Sequence, residues 1–332
     1  MIITIVITPN IYYITIANMS KILAVFGATG QQGSSVVSYV LNNHELSQQF
    51  KIRAITRNAH SEKSKQLREN IEVAEGDVLD RASLETALTG VHTVFAMTTP
   101  SFGPDALDVE YNNAKRIADV AVEKGVEYIV FSTLPPVSEI TGGKCTNITP
   151  FDAKAKAEQY IRGLPIKSAF VSLGSFMENF QSQPFLAPRK AADGTWVLAR
   201  HVSSKTQFPL IDAVGDTGKF VGAILAEPDK YEGKTFCAAV KLYSIEEIVA
   251  ILSKATGKTI VYKRVSVEEF KAGLAMIPEA LADIFVEGLS HQEEFGYFGP
   301  GGEQLVAWAA ANARGRLSTL EDYLKAHPLQ LE

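Results

Sequence analysis

The chain has 332 residues, of which 46% are hydrophobic, 21% charged and 9% aromatic, ordinary proportions that leave ample core for one large domain or two merged ones. A formal net charge of −5 argues against direct nucleic-acid binding, because phosphate binders carry a basic excess. The cysteines are Cys145 and Cys237, with no C-x-x-C spacing; that excludes a disulfide framework and a thiolate metal centre, and it fits a cytoplasmic setting.

The chain opens on MIITIVITPNIYYITIAN, strongly apolar and β-branched. No basic segment precedes this stretch, the first positive charge being Lys21, and Pro9-Asn10 interrupts the apolar run far short of the about 20 residues a membrane span needs. Residues 1–18 therefore read as an apolar extension of doubtful role, Met19 as the working start, and no membrane partner is expected.

From Ile22 to Phe26 an apolar strand leads into a glycine-rich turn and a helix that continues from Ser34 to Leu41. Lys51–Thr56 alternates as a second strand, Glu62–Glu69 is helical, and Ile71–Ala74 is a third strand ending at Gly76-Asp77. Arg81–Leu88 forms a helix closed by Gly90. Thr93–Met97 is the fourth strand, Asp105–Lys124 a long helix stopped by Gly125, and Glu127–Phe131 the fifth strand. A helix over Phe151–Arg162 and a strand over Ile166–Ser172 follow. This alternation predicts an α/β fold, a Rossmann-type doubly wound parallel sheet with ligands at the carboxyl ends of its strands.

Beyond Ser175 the pattern loosens into short elements: strands near Thr195–Ala199, Thr235–Ala239 and Thr259–Val265, and helices at Asp216–Ala226, Ser244–Ala255, and from Val267 and Pro278. Ser244 with Glu247 reads as a capping box. We expect a Rossmann-type domain over 19–175 and a smaller, less regular α+β substrate lobe over 176–332 interleaved with the sheet.

The glycines Gly27, Gly30 and Gly33 stand between a strand and a helix. There they suit a pyrophosphate: a tight turn, an unobstructed backbone, and a helix N-terminus packed close to the sheet. Twenty-four residues after Gly33, where an NAD-selective site carries an acid for the ribose, this chain has Arg57, with Lys63 and Lys65 behind it. A fixed guanidinium suits the 2′-phosphate of NADP. Asp77-Val78 and Thr98-Thr99 follow the third and fourth strands, so both pairs border the same crevice.

With GATGQQG (27–33), ITRN (55–58), EGDVLD (75–80), TPFDAKAKAEQYIR (149–162), GSFMENF (174–180) and DTGKFV (216–221), the chain resembles the NmrA-like family, atypical short-chain dehydrogenase relatives, from Ser20 to its end. The resemblance implies bound NADP(H), held by Gly27, Ala28, Thr29, Gly30, Gln31, Gln32, Gly33, Arg57, Asp77, Val78, Thr98, Thr99, Lys154, Phe176, Met177, Glu178 and Asn179. Activity divides within that family. Some members are redox sensors or regulators acting through protein partners, with a nuclear location open to them. Others are reductases of quinones or of intermediates in fungal secondary metabolism.

Typical short-chain dehydrogenases use Y-x-x-x-K, the tyrosine as acid and the lysine on the nicotinamide ribose. The literal match Tyr111–Lys115 lies one crossover too early. At the proper place the lysine is Lys154, but four residues before it stands Pro150, which has no proton to give. Lys154 is thus the candidate catalytic residue of an oxidoreductase acting on a small hydrophobic substrate, or only a cofactor ligand in a sensor. Phe176, Phe180, Phe185, Trp196 and Phe208 are expected to hold a flat substrate, with Tyr297 as a further pocket candidate. Ser132-Thr133-Leu134 should border the nicotinamide. His92 is expected to be structural, and His201 and His291 to face solvent. No metal site is expected.

Overall fold

The computed structural model describes residues 2–8, 11–17 and 20–331. Strands β1 (Ile2–Thr8) and β2 (Ile11–Ala17) pair antiparallel with each other, Ile2 opposite Ala17. The expected start at Met19 lies outside the described residues.

Six strands follow in the first half: β3 (Lys21–Phe26), β4 (Phe50–Thr56), β5 (Glu72–Glu75), β6 (Thr93–Ala96), β7 (Tyr128–Thr133) and β8 (Lys167–Leu173). The second half contributes β9 (Ser175–Phe176), β10 (Arg189–Lys190), β11 (Trp196–Arg200), β12 (Gln207–Ile211), β13 (Thr235–Ala238), β14 (Lys241–Ser244) and β15 (Ile260–Arg264). The main sheet has seven strands in the order β13-β8-β7-β6-β3-β4-β5, every pairing parallel. Its central members are mostly apolar, as strands covered on both faces tend to be; all of β7 is buried, including Ser132 and Thr133 at its end. The winding reverses between β3 and β6, where such sheets open a crevice at their carboxyl ends.

Helices α1 (Gln31–Asn42), α2 (Glu62–Arg68), α3 (Arg81–Leu88), α4 (Ala106–Glu123), α5 (Thr149–Arg162) and α6 (Ala213–Ala226) cover the sheet. Val36, Val37 and Val40 of α1 and Phe220, Val221 and Ile224 of α6 share one core with Leu23 and Val25. On the other face, Leu84 and Leu88 of α3, Ile117 and Val120 of α4, and Ala157 and Ile161 of α5 pack against Ala24, Val94 and Phe131.

The lobe has two three-stranded sheets, β10-β11-β15 and β14-β12-β9. They share a third core with helices α7 (Ile245–Thr256) and α8 (Glu279–Phe295) and with the helix Leu320–Ala326. The expected capping box is present: the Ser244 side chain accepts from Glu247 N, and the Glu247 carboxylate accepts from Ser244 N. Through β13 and α6 the second half of the chain also completes the main sheet and one of its covering layers. Among the described residues no helix is long and apolar enough to cross a membrane.

Candidate active site

Beyond Phe26 the chain turns through Gly27 in a left-handed conformation (φ +65°), and Gly30 N donates to Gly27 O at 2.8 Å. A Cβ on Gly33 would lie 2.2 Å from that same carbonyl oxygen, so only glycine lets α1 start so close to the strand. Gly30 caps α1 without any side-chain hydrogen bond. The first N–H groups of a 12-residue helix are therefore left for an anion, with the positive end of the helix dipole behind them. Ala28 is buried and Thr29 exposed at the tip of the turn. These features fit a pyrophosphate.

Arg57 follows β4 and is exposed, with no ion pair among the described residues, whereas Lys65 pairs with Glu62. Asp77 N donates to Ser83 Oγ, and Asp77 Oδ1 accepts from Leu79 N, both at 2.9 Å. The β5 exit is thereby shaped into a turn, with Val78 packed against the core beneath it. Arg57 and Asp77 thus stand just past the ends of adjacent parallel strands, at the same edge of the sheet as the glycine turn.

On the other side of the switch point lies a cavity of about 590 Å³. Gln31, Gln32, Thr98, Ser132, Thr133, Leu134, Pro150 and Lys154 line it from the first half of the chain, and Phe176, Asn179, Phe180, Phe208, Phe285 and Tyr297 are among the lobe residues that do so. Ser132 Oγ donates to Gln32 Oε1 at 2.7 Å, tying the end of β7 to the glycine turn. Thr99 is exposed beside Thr98.

The most constrained group is a cluster around Lys154. Pro150 sits in the first turn of α5, where a missing N–H costs nothing, and Lys154 follows one turn later on the same face. Lys154 Nζ donates to Thr98 O at 2.9 Å and to Thr98 Oγ1 at 2.7 Å, and it lies 2.6 Å from Glu110 Oε1. Thr98 Oγ1 in turn donates to Glu110 Oε1 at 2.7 Å. The Lys154 side chain is 8% exposed and that of Glu110 1%, so this is a buried ion pair. Burial pulls the ammonium's pKa down, and the Glu110 carboxylate pulls it back up. Glu110 Oε2 has no hydrogen-bond partner among the described residues. The sequence reading missed Glu110, although a signal was there: it falls on the buried stripe of α4 that also carries Ala106, Ala114 and Ile117.

Other expectations are corrected. Phe185 and Trp196 do not line the cavity: Trp196 is buried in the lobe core and Phe185 packs edge-on against Phe285. His201 and His291 do not face solvent. His201 Nε2 lies 3.0 Å from Ser290 Oγ, and His291 stacks on Phe295; both are buried, and burial holds both rings below the usual histidine pKa. Within 176–179 only Phe176 and Asn179 reach the cavity. Met177 is fully buried in the lobe core, and the Glu178 carboxylate accepts from Ala213 N and Val214 N at the start of α6. Tyr297 does line the cavity and donates to Leu173 O at 3.0 Å. The Tyr111–Lys115 pair lies elsewhere, with Lys115 held by Asp119.

The sequence profile of the NmrA-like family matches residues 19–324. An NmrA-like family domain-containing oxidoreductase, cpsB of Aspergillus campestris, is 33% identical over 267 residues, covering 75% of this chain and 77% of its own. In fold the chain is similar to NmrA, a negative transcriptional regulator solved in complex with NADP (TM-score 0.73, 22% identity, 92% and 94% of the two chains). It is similar too to the NADPH-dependent quinone oxidoreductase QOR2 of Escherichia coli solved with NADPH (TM-score 0.72, 21% identity, 92% and 99%).

Proposed function

The chain belongs to the NmrA-like family, and from that premise we propose that it is an NADP(H)-dependent oxidoreductase reducing a small apolar acceptor of the quinone, enone or imine class. The observation that carries the reading is one of continuity. Gln31 and Gln32, in the first turn of the helix that follows the glycine loop, also line the apolar cavity. The anion-binding end of α1 and the space for a substrate are therefore one crevice.

In this reading the α1 N-terminus and Gly27–Gly33 hold the pyrophosphate, Arg57 the 2′-phosphate, and Thr98, Ser132, Lys154, Phe176 and Asn179 surround the nicotinamide end. NADPH bound there supplies a hydride. The chain must hold the acceptor against apolar walls, orient it and let one proton reach the product. Phe176, Phe180 and Phe208 provide the apolar walls. Lys154 places a cation at the floor of the crevice, where an acceptor gaining a hydride becomes negative. Its three N–H directions are already taken by Thr98 O, Thr98 Oγ1 and Glu110. Lys154 thus acts chiefly as a fixed charge and as the strap that holds the end of β6, and the proton reaches the reduced acceptor from water.

The test is NADPH oxidation by purified protein across a panel of quinones, enones and imines, with Lys154→Ala as control. Turnover with at least one class is expected, falling about tenfold or more in the variant because a positioned charge is lost. Undiminished turnover in Lys154→Ala removes the lysine from the mechanism. The alternative is a dinucleotide-binding redox sensor acting through a protein partner. Pro150 favours it by standing where a tyrosine acid belongs, and tight NADPH binding with no acceptor turned over would decide for it.

A further inference from the structure

Among the described residues lining the cavity only Lys154 and Arg200 are charged, and none is an aspartate or glutamate. Lys154 is matched from behind by Glu110. Arg200 has no acid partner among the described residues. It ends β11 at 9% exposure, in a wall shared with a smaller cavity of about 190 Å³. Its Nη1 donates to Ala199 O at 2.7 Å and its Nη2 to Leu186 O at 2.5 Å. A guanidinium offers five N–H donors, so these carbonyls leave most of its capacity free. The other groups around it do not supply the missing charge: Arg189 is a second cation, Tyr262 is a neutral phenol whose hydroxyl donates to Val202 O, and the Phe270 ring centroid is 5.7 Å away. Desolvation draws the guanidinium pKa down to about 10, so it stays cationic at neutral pH. Buried cations ordinarily come with an acid, since isolation from water is costly. Here no acid stands beside the guanidinium among the described residues, and Arg200 lines the cavity.

Resting on the oxidoreductase reading above, we infer that the acceptor carries a carboxylate or comparable oxyanion, and that Arg200 binds it at the lobe end of the cavity while the reducible carbons face Lys154. A guanidinium fork meets a carboxylate through two parallel hydrogen bonds, which fixes orientation as well as affinity. The substrate class is then an aromatic or conjugated acid rather than a neutral or cationic ring.

The experiment compares menadione with its analogue bearing a propanoate side chain, measuring Kd by titration onto the NADPH-loaded protein and KM wherever turnover occurs. The wild-type protein is expected to bind the carboxylate form about tenfold or more tightly than the neutral ring, in line with a charge-assisted bidentate contact. Arg200→Met should abolish that preference while changing menadione binding less than about twofold, and Arg200→Lys should restore part of it. A wild-type protein that binds both rings equally, or an Arg200→Met variant that weakens both equally, overturns the inference and makes Arg200 a strap for the Leu186 turn. Because Kd is read without turnover, failure of the oxidoreductase reading shows separately as binding with no NADPH oxidation.

Discussion

At the scale of single residues, the pair Lys154–Glu110 is the chemistry that the sequence half disclosed. Lys154 was legible from its place after the fifth strand, and Pro150 from its place four residues earlier. Glu110 was not legible as its partner, because nothing in linear order ties α4 to α5; only packing brings the two side chains within 2.6 Å. Removing one member of a buried pair strands the other charge away from water. Glu110→Ala is therefore expected to cost about 3 kcal/mol of stability, read by urea denaturation, while the double variant with Lys154→Met recovers most of that loss. Additive losses would mean the two charges do not depend on each other. At the opposite end of the crevice Arg57 is exposed, so its removal should leave stability alone. Arg57→Ala is expected to weaken NADPH about tenfold, by loss of a charge-assisted contact, and to leave NADH unchanged. Titration of the two dinucleotides checks this, and equal losses for both would take the 2′-phosphate away from Arg57.

At the scale of elements, local signals were sufficient where periodicity and caps agreed. The expected strands and helices through β8 are present within a few residues, although the short helices His44–Gln49 and Val137–Ile140 were not anticipated, and the Ser244–Glu247 capping box was readable from four letters. Ser244→Ala is expected to cost about 1 kcal/mol through loss of the cap, again by urea denaturation. A change near zero would show that the lobe's packing, not the cap, sets where α7 begins. What was not legible had conflicting or weak local signals. Strand β12 contains Pro209, which argues against a strand in isolation. Strands β9 and β10 have two residues each and exist only through their partners. The lobe aromatics divide between cavity and core by tertiary position: Phe176 and Phe208 face the cavity, whereas Trp196 sits in the core. Composition cannot separate these cases.

At the scale of the whole molecule, the second half of the chain both completes the sheet through β13 and α6 and closes the crevice with its lobe. Two lobe histidines, His201 and His291, belong to that packing. Burial lowers the pKa of His201 and of His291 below the unfolded value of 6.5. Above 6.5 both folded and unfolded chains hold these rings neutral, and the stability is fully present. Below it the unfolded chain takes up protons that the folded chain refuses, so stability falls as the pH drops toward the folded values. The Tm is therefore expected to fall between pH 7 and pH 5.5, and replacing both histidines by glutamine should flatten that decline. An unchanged slope in the double variant would assign the acid sensitivity to carboxylates instead.

The central claim is that the cofactor site and the cavity are one crevice in which a hydride passes directly from NADPH to an acceptor. Rapid anaerobic mixing of NADPH-loaded protein with an acceptor tests it in a single turnover, following the nicotinamide absorbance, with unlabelled NADPH and with NADPH deuterated at the transferring position. Prompt loss of absorbance, slower with the deuterated cofactor, is the expected result. Bound NADPH whose absorbance persists with every acceptor, or decays at the same rate with either isotope, would contradict it.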